Sequence, residues 1–408
     1  MEVFAYLIPY GLEWLNLIVR WLHVITGIAW IGASFYFVWL DNSIRPPAPG
    51  SELAKEGVSG EMWAVLGCGF YKPQKYLLAP AELPKELHWF KWEAYSTWLS
   101  GFALLTIAYY FNAQAMMIDK AVADISSGQA VGIGIATLVI GWTVYDLLCR
   151  SKLAQYELWF GVTVFALIVA AAYVLTHLLS GRAAYIHVGA MIGTIMVANV
   201  LMLIIPGQRK MVEAMAAGKL PDPKHGLKAK QRSVHNNYFT LPVLFIMISN
   251  HYAMTYRNDH AWLVLALIMA AGVFIRHFFN LRHKGRVEWR YPALGVALLV
   301  AVAVAIAPKA PVASAPVADP VAQFVAVHAI IAQRCATCHS AHPTQPGFAT
   351  APAGMMLDNE IEIRQHAAQI YKQAIELKAM PIGNLTNMTD AERSELGAWL
   401  QQTMQGAK

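Results

Sequence analysis

Eight apolar runs, each close to the length of a membrane-crossing helix, set what this chain can fold into. A bilayer core about 30 Å thick needs roughly 20 apolar residues in a helix. The runs at 14–40, 96–118, 128–148, 158–179, 185–205, 240–256, 261–281 and 291–307 meet or approach that length, the sixth and eighth being short and the sixth polar at its ends. A buried soluble helix could account for one of them but not for eight. Composition agrees: 57% of residues are apolar and 14% charged, against roughly 25% charged in soluble proteins. The expected fold is all-α, an eight-span transmembrane helical bundle over residues 1–307. The first thirteen residues hold no Lys or Arg, so the positive start of a cleavable signal is missing and the first run is expected to stay as an anchor. Cys68 and Cys149 stand alone in the sequence and read as ordinary small apolar residues.

Charge gives the bundle a direction. If the N-terminus lies outside, the inside loops hold nineteen Lys and Arg, and the outside loops only Lys120, Arg182 and Arg257. That is a strong positive-inside bias. The net charge of +6 is therefore spread over loops and not gathered into a patch for nucleic acid. With an even number of spans the C-terminus is also outside.

After the eighth run, residues 308–320 alternate Pro with small residues. Such a stretch forms neither helix nor core and reads as a semi-rigid linker. A compact segment of 321–408 follows, and it contains Cys335-Ala336-Thr337-Cys338-His339. In C-x-x-C-H the two thiols add to haem vinyl groups and the His supplies an axial imidazole. A zinc site would need a second ligand pair, and a redox pair would sit near a βαβ pattern; the sequence offers neither. The segment is thus expected to be a small class I-like cytochrome c domain with covalent haem c on Cys335 and Cys338. Met380, followed by Pro381, is the expected second iron ligand beside His339, with Met355, Met356, Met388 and His366 as competitors. This places 321–408 on the periplasmic side of a bacterial inner membrane, the side where c-type haem is attached, in agreement with the charge bias. Thr389-Asp390-Ala391-Glu392 reads as a capped helix start. Leu396, Trp399 and Leu400 then form a stripe expected to pack on the helix that carries the haem motif.

Ionisable residues inside spans are costly and point to function. His23, His177, His187 and His251 fall near the outer ends. His88, His235 and His277 fall near the inner ends, with Lys91, Glu93, Asn236, Asn237, Arg276, Asn280 and Arg282. Trp21-Leu22-His23-Val24 is echoed by Tyr185-Ile186-His187-Val188 four spans later, with small residues after each. This suggests a 4+4 internal repeat that puts His23 and His187 in equivalent places. There they could clamp a haem b, with His251 or His177 as alternates; the simpler reading is hydrogen bonding across helices. The inner layer suits a planar anion: Arg276 and Lys91 offer charge, His88, His235, Asn236 and Asn237 hydrogen bonds, and Trp89 and Trp92 stacking faces. No dinucleotide fingerprint or P-loop is present.

Residues 21–32, His88-Trp89-Phe90-Lys91-Trp92-Glu93, the run from Tyr185 to Lys210 and Ser233-Val234-His235-Asn236-Asn237-Tyr238 together resemble the membrane-anchored bacterial urate oxidases fused to a cytochrome c, the PuuD urate hydroxylase family. The resemblance covers essentially the whole chain. It implies oxidation of urate to 5-hydroxyisourate, with electrons leaving through the cytochrome instead of forming hydrogen peroxide. They would pass to a respiratory acceptor such as a terminal oxidase or a soluble cytochrome. On that footing urate is expected on the inner layer, with Arg276, Lys91, His235 and Glu93 as the catalytic candidates. Two other readings share most features. One is a quinol-oxidising membrane cytochrome that feeds its own haem c; the other is a transporter or inert anchor.

Overall fold

A helix stands over each of the eight apolar runs in the computed structural model, which describes residues 2–76, 79–80, 82–307, 320–346, 348 and 350–406. The linker read at 308–320 lies outside the described residues except for Pro320, which instead opens a helix. Proline suits that place, because the first helical N–H has no partner to lose.

The chain begins with α1 (Glu2–Ser43), then α2 (Glu52–Lys55) and a ribbon of short strands, β1 (Val58–Glu61), β2 (Ala64–Leu66), β3 (Gly69–Tyr71) and β4 (Gln74–Tyr76). β1 pairs antiparallel with β4, and β2 with β3. This ribbon departs from the all-α expectation. Its base is pinned to the end of α1, where Arg45 and Glu61 exchange backbone hydrogen bonds at 2.9 and 2.8 Å and Asp41 pairs with Lys75. Its tip exposes Val65, Leu66 and Phe70. Cys68 is exposed beside the Tyr71 hydroxyl, so it is not the buried apolar residue expected.

Next come α3 (Trp92–Leu105), which runs into a π turn at Thr106–Tyr110, and α4 (Ala113–Met116). α5 (Ser127–Arg150) opens with a capping box. Ser126 Oγ accepts from the Gln129 amide at 3.3 Å and Gln129 Oε1 from the Ser126 amide at 2.8 Å, which satisfies two orphan donors. α6 (Glu157–Thr176) follows, then α7 (Gly181–Ala198), a second π turn at Asn199–Ile204 and α8 (Ile205–Ala216). α9 (Pro223–Ile248) is longer than its apolar run because a basic, polar half precedes that run. α10 (Ala253–Tyr256), α11 (Ala261–His283) and α12 (Arg290–Ala305) complete this part. α11 stops where Gly285 takes φ +81, the left-handed conformation that glycine adopts without a Cβ penalty.

Among the described residues, five helical stretches are long and apolar enough to cross a membrane: Tyr10–Ser43, Ser127–Arg150, Glu157–Thr176, Gly181–Ala216 and Ala261–His283. Arg290–Ala305 is apolar but shorter. α7 is the centre, packed on α3, α5, α6 and α9. It can approach α9 closely because Gly189 faces Ile246 with no room for a methyl group between them. α1 is peripheral, with Trp21 and Ile28 turned outward.

The C-terminal segment has its own core. α13 (Pro320–Arg334) packs through Val327, Ile330 and Ile331 on Leu396, Trp399 and Leu400 of α16 (Asp390–Gly406). α14 (Glu360–Gln365) and α15 (Ala367–Ile370) lie between them in sequence and add Ile363 and Ile370. The capped start expected for α16 is present: the Glu392 amide donates to Thr389 Oγ1 at 3.2 Å, and the Thr389 amide to Glu392 Oε2 at 2.7 Å. The segment rests on the bundle near α4 and α10, where Arg257 pairs with Asp119 at 2.7 Å and donates from Nε to the Leu377 carbonyl at 3.2 Å.

Candidate functional site

Cys335 follows the last residue of α13, and the chain makes one more turn as the His339 amide donates to the Cys335 carbonyl at 2.9 Å. Cys335 and Cys338 are free thiols. Burial pushes the Cys335 thiol up to about 12 and raises Cys338 as well. His339 donates from Nδ1 to the Met355 carbonyl at 3.1 Å. The carbonyl only accepts, so the proton sits on Nδ1 and the Nε2 lone pair is left for a metal. Burial also lowers the pKa of His339, which favours the neutral ring a metal needs.

Met380 lies on a strap fixed from both sides. Its amide donates to the Gln373 carbonyl at 3.0 Å, and its carbonyl accepts from Arg393 Nη1 at 2.8 Å. Cys335, Met355 and Met380 all pack against the core of this segment. Of the competitors, Met388 is enclosed in that core at 3% exposure, and Met356 is 39% exposed. His366 is turned to Gln369 at 2.7 Å. Two free thiols one turn apart, an imidazole oriented by a carbonyl and a thioether on a fixed strap make a donor set that fits a covalently attached haem.

In the bundle the inner-layer residues divide into two groups, because neighbours on α9 face different ways. Asn237 Oδ1 accepts from Arg276 Nε at 2.6 Å, and Asn237 Nδ2 donates to Asn280 Oδ1 at 3.0 Å. The Arg276 guanidinium lies 4.1 Å from the centre of the Phe35 ring. It is 5% exposed, no carboxylate pairs with it among the described residues, and its Nη2 has no hydrogen-bond partner. A buried cation left in that state is costly unless something anionic completes it.

The second group surrounds Asn236 and His235. His235 Nδ1 lies 2.8 Å from the Tyr145 hydroxyl, and its ring stacks on Phe160 at 4.7 Å. Asn199 donates to the Tyr145 hydroxyl at 3.1 Å and to Asn236 Oδ1 at 2.8 Å. Arg232 donates to Asn199 Oδ1 at 3.0 Å and to Asp146 Oδ1 at 2.7 Å. Asn199 starts a π turn, a distortion often found at functional sites.

Lys91 and Glu93 sit at the start of α3, and no hydrogen bond among the described residues joins either to these groups. Lys91 lies over the Trp92 ring at 5.8 Å, and Glu93 Oε2 is buried without a partner. His88 is exposed. α3 and α11 both pack on α1, so the orphaned carboxylate and the orphaned guanidinium stand on two helices that share a neighbour.

The outer histidines have unlike settings. His23 is half-buried, with Nδ1 3.1 Å from the Thr97 carbonyl and its ring against Gly101. His187 is fully buried, with Nδ1 2.7 Å from the Ala183 carbonyl and Nε2 3.3 Å from the Tyr110 hydroxyl. A methyl at Gly134 would come 2.5 Å from that Nε2. Gly101 and Tyr110 are nine residues apart on one continuous helix, about 13 Å of rise. The two imidazoles are not brought together, and as packed both His187 nitrogens are engaged, so this pair does not fit a shared haem iron. His177 donates to its own helix at the Tyr173 carbonyl, 2.7 Å away, and His251 is exposed in a short turn.

Sequence reasoning missed Tyr145, Asp146, Asn199, Arg232 and the Asp119–Arg257 pair. For Asp146 and Asn199 there was a signal, since each is a polar side chain within an apolar run.

No curated protein and no solved structure matches the chain. A family model described as urate oxidase N-terminal matches residues 9–307, the whole of the bundle from the start of α1 to the end of α12. The chain therefore belongs to the urate oxidase N-terminal family.

Proposed function

We propose that this chain is a membrane-embedded urate oxidase that converts urate to 5-hydroxyisourate and passes the electrons to a haem c on its own C-terminal segment. The observation that carries the reading is Arg276, a buried guanidinium with a partnerless Nη2 and a ring beneath it, in a chain of this family. Urate is a planar anion whose carbonyl oxygens accept from such a group and whose ring N–H groups donate to a carboxylate such as Glu93.

The reaction removes two electrons and two protons from urate and water, and the water oxygen ends on the oxidised ring carbon. Arg276, held by Asn237 and in turn by Asn280, binds and orients the anion. Glu93 is placed to take a proton if it faces the same ligand. His235, fixed by Tyr145, belongs to the neighbouring group and is the second proton acceptor. Bound haem c would supply a one-electron acceptor with an easily reduced iron, so each urate requires two transfers. From the start of α11 at Ala261 to Arg276 is roughly 22 Å of helix rise, so electrons cross most of the bundle to reach the tail. The rings of Trp98, Phe102, Tyr110 and His187 follow one another in that direction at 5.4, 6.4 and 5.8 Å.

Eight spans with the N-terminus outside are supported by the helices over all eight runs and by the loop charges. This reading puts residues 1–307 in a bacterial inner membrane and 321–408 in the periplasm, with a terminal oxidase or soluble cytochrome as the final acceptor. The test is an anaerobic visible spectrum before and after adding urate, with a pyridine assay of haem type. Reduction of a c-type haem by urate is the expected result. If a quinol reduces it and urate does not, the protein is a quinol-oxidising cytochrome.

A further inference from the structure

The C-terminal segment meets the bundle through the same strap that carries Met380. Arg257, in the turn before α11, bridges three pieces of chain. Its Nη1 pairs with Asp119 Oδ2 at 2.7 Å, and its Nε donates to the Leu377 carbonyl at 3.2 Å. Asp119 is 5% exposed, and its other oxygen accepts from the Ala121 amide at 3.0 Å. On the far side of Met380, Gly383 lies against the loop after α4, where a Cβ would come 2.6 Å from the Ile118 carbonyl and 3.2 Å from that of Ala115. Between them Ala379 is buried in the core cluster of the bundle itself, with Leu377 packed beside it. Residues 377–383 are thus held at both ends and in the middle by the bundle.

We infer that Asp119 and Arg257 form a docking clamp that seats the Met380 strap on the bundle, so that electrons enter the tail from its methionine side. The inference rests on the haem c reading for its electron-transfer half; the clamp itself does not. A flexible tether alone would let the tail sample many orientations. A buried ion pair with good geometry fixes one orientation, and removing one partner strands the other charge. Arg257 and Asp119 are positioning residues, since they act on Met380 only through the strap.

The test uses the full-length protein in nanodiscs, with Arg257→Gln, Asp119→Asn, the double variant and Gly383→Ala. Nitroxide labels at Val122→Cys in the outer loop and Ile361→Cys on α14, both on exposed positions, report docking with Cys68 and Cys149 replaced by Ser. A narrow label-to-label distance distribution is expected in the unsubstituted background and a broad one in each variant. The double variant should be no broader than the singles, because the two residues act as one pair. In unlabelled protein the rate of haem reduction by urate should fall at least tenfold in each variant. The dithionite-reduced spectrum and the far-red band of methionine-ligated ferric haem should stay. Distributions equally narrow in the variants overturn the clamp. Broadened distributions with an unchanged reduction rate overturn the entry face. If urate reduces no haem even in the unsubstituted protein, the substrate reading has failed, and the distance measurement still decides the clamp.

Discussion

Arg276 donates from Nε to Asn237 Oδ1 across 2.6 Å, and this contact leaves the guanidinium with Nη2 unspent. Replacing Arg276 with Gln removes the charge but keeps a donor. Charge-assisted bonds contribute about 1.5–3 kcal/mol, so apparent urate affinity should weaken roughly 10- to 100-fold. Arg276→Lys should recover only part of it, because an ammonium cannot keep the Asn237 bond and face the ligand with planar geometry. Titration of haem reduction against urate concentration checks both. Unchanged turnover and affinity in Arg276→Gln would move the substrate site elsewhere.

Cysteine and methionine changes in the tail should separate attachment from ligation. Cys335→Ala or Cys338→Ala should leave one thioether bond at most and lower the yield of covalent haem. Met380→Ala should retain covalent haem while the reduction potential drops, since thioether ligation raises it. Haem staining after denaturing electrophoresis and a redox titration distinguish the two outcomes. A Met380→Ala protein with an unaltered potential would pass the role to Met355, whose carbonyl already holds His339.

The pair at the base of the tail gives it a sensitivity to acid. The Arg334 guanidinium, 2.9 Å away, and then the Thr389 amide hold the Glu392 carboxyl below the ordinary glutamate range. A depressed carboxylate adds stability that is complete above its unfolded pKa and is lost as pH falls through the folded value. The contribution should therefore be intact at neutral pH and fade below about pH 4. Glu392→Ala should cost about 1 kcal/mol at pH 7, from the lost cap and a half-exposed ion pair. The loss should shrink as the pH is lowered. Thermal melting of the haem band across pH tests this, and a cost independent of pH would contradict it.

Asp146 is the only carboxylate pairing with Arg232 among the described residues. Asp146→Ala leaves that guanidinium buried beside Tyr145 without its counter-ion, at a cost of about 3–5 kcal/mol. The expected result is a steep loss of monodisperse protein after detergent extraction, with Asp146→Asn intermediate. A normal yield of Asp146→Ala would mean that water or lipid reaches Arg232.

These sites differ in how plainly the sequence announced them. The helices over the apolar runs and the Cys335–His339 turn depend on neighbours in sequence, so hydropathy and spacing found them. Thr389 and Glu392 were legible for the same reason. The division of Asn236 from Asn237 was not, because it depends on how α9 is rotated against α7 and α11. The β1–β4 ribbon was overlooked because its strands are only three or four residues long and sit in a polar connection. The clamp joins Asp119 to Arg257 across a separation no local pattern spans. The echo between His23 and His187 was real as sequence, yet different neighbours gave the two rings different work.

The π turn at Asn199–Ile204 has a consequence for how the rest of its helix is phased. It adds one residue without adding a turn, so every side chain beyond Ile204 is rotated by about 100° from where an unbroken α-helix would aim it. A helical wheel drawn across residues 181–216 is therefore correct for one half at a time. Deleting a single residue between 200 and 203 would shorten the helix by almost nothing, yet swing Gln208 and Arg209 to another face. At that point a one-residue gap between two relatives would be a change of direction, not of length.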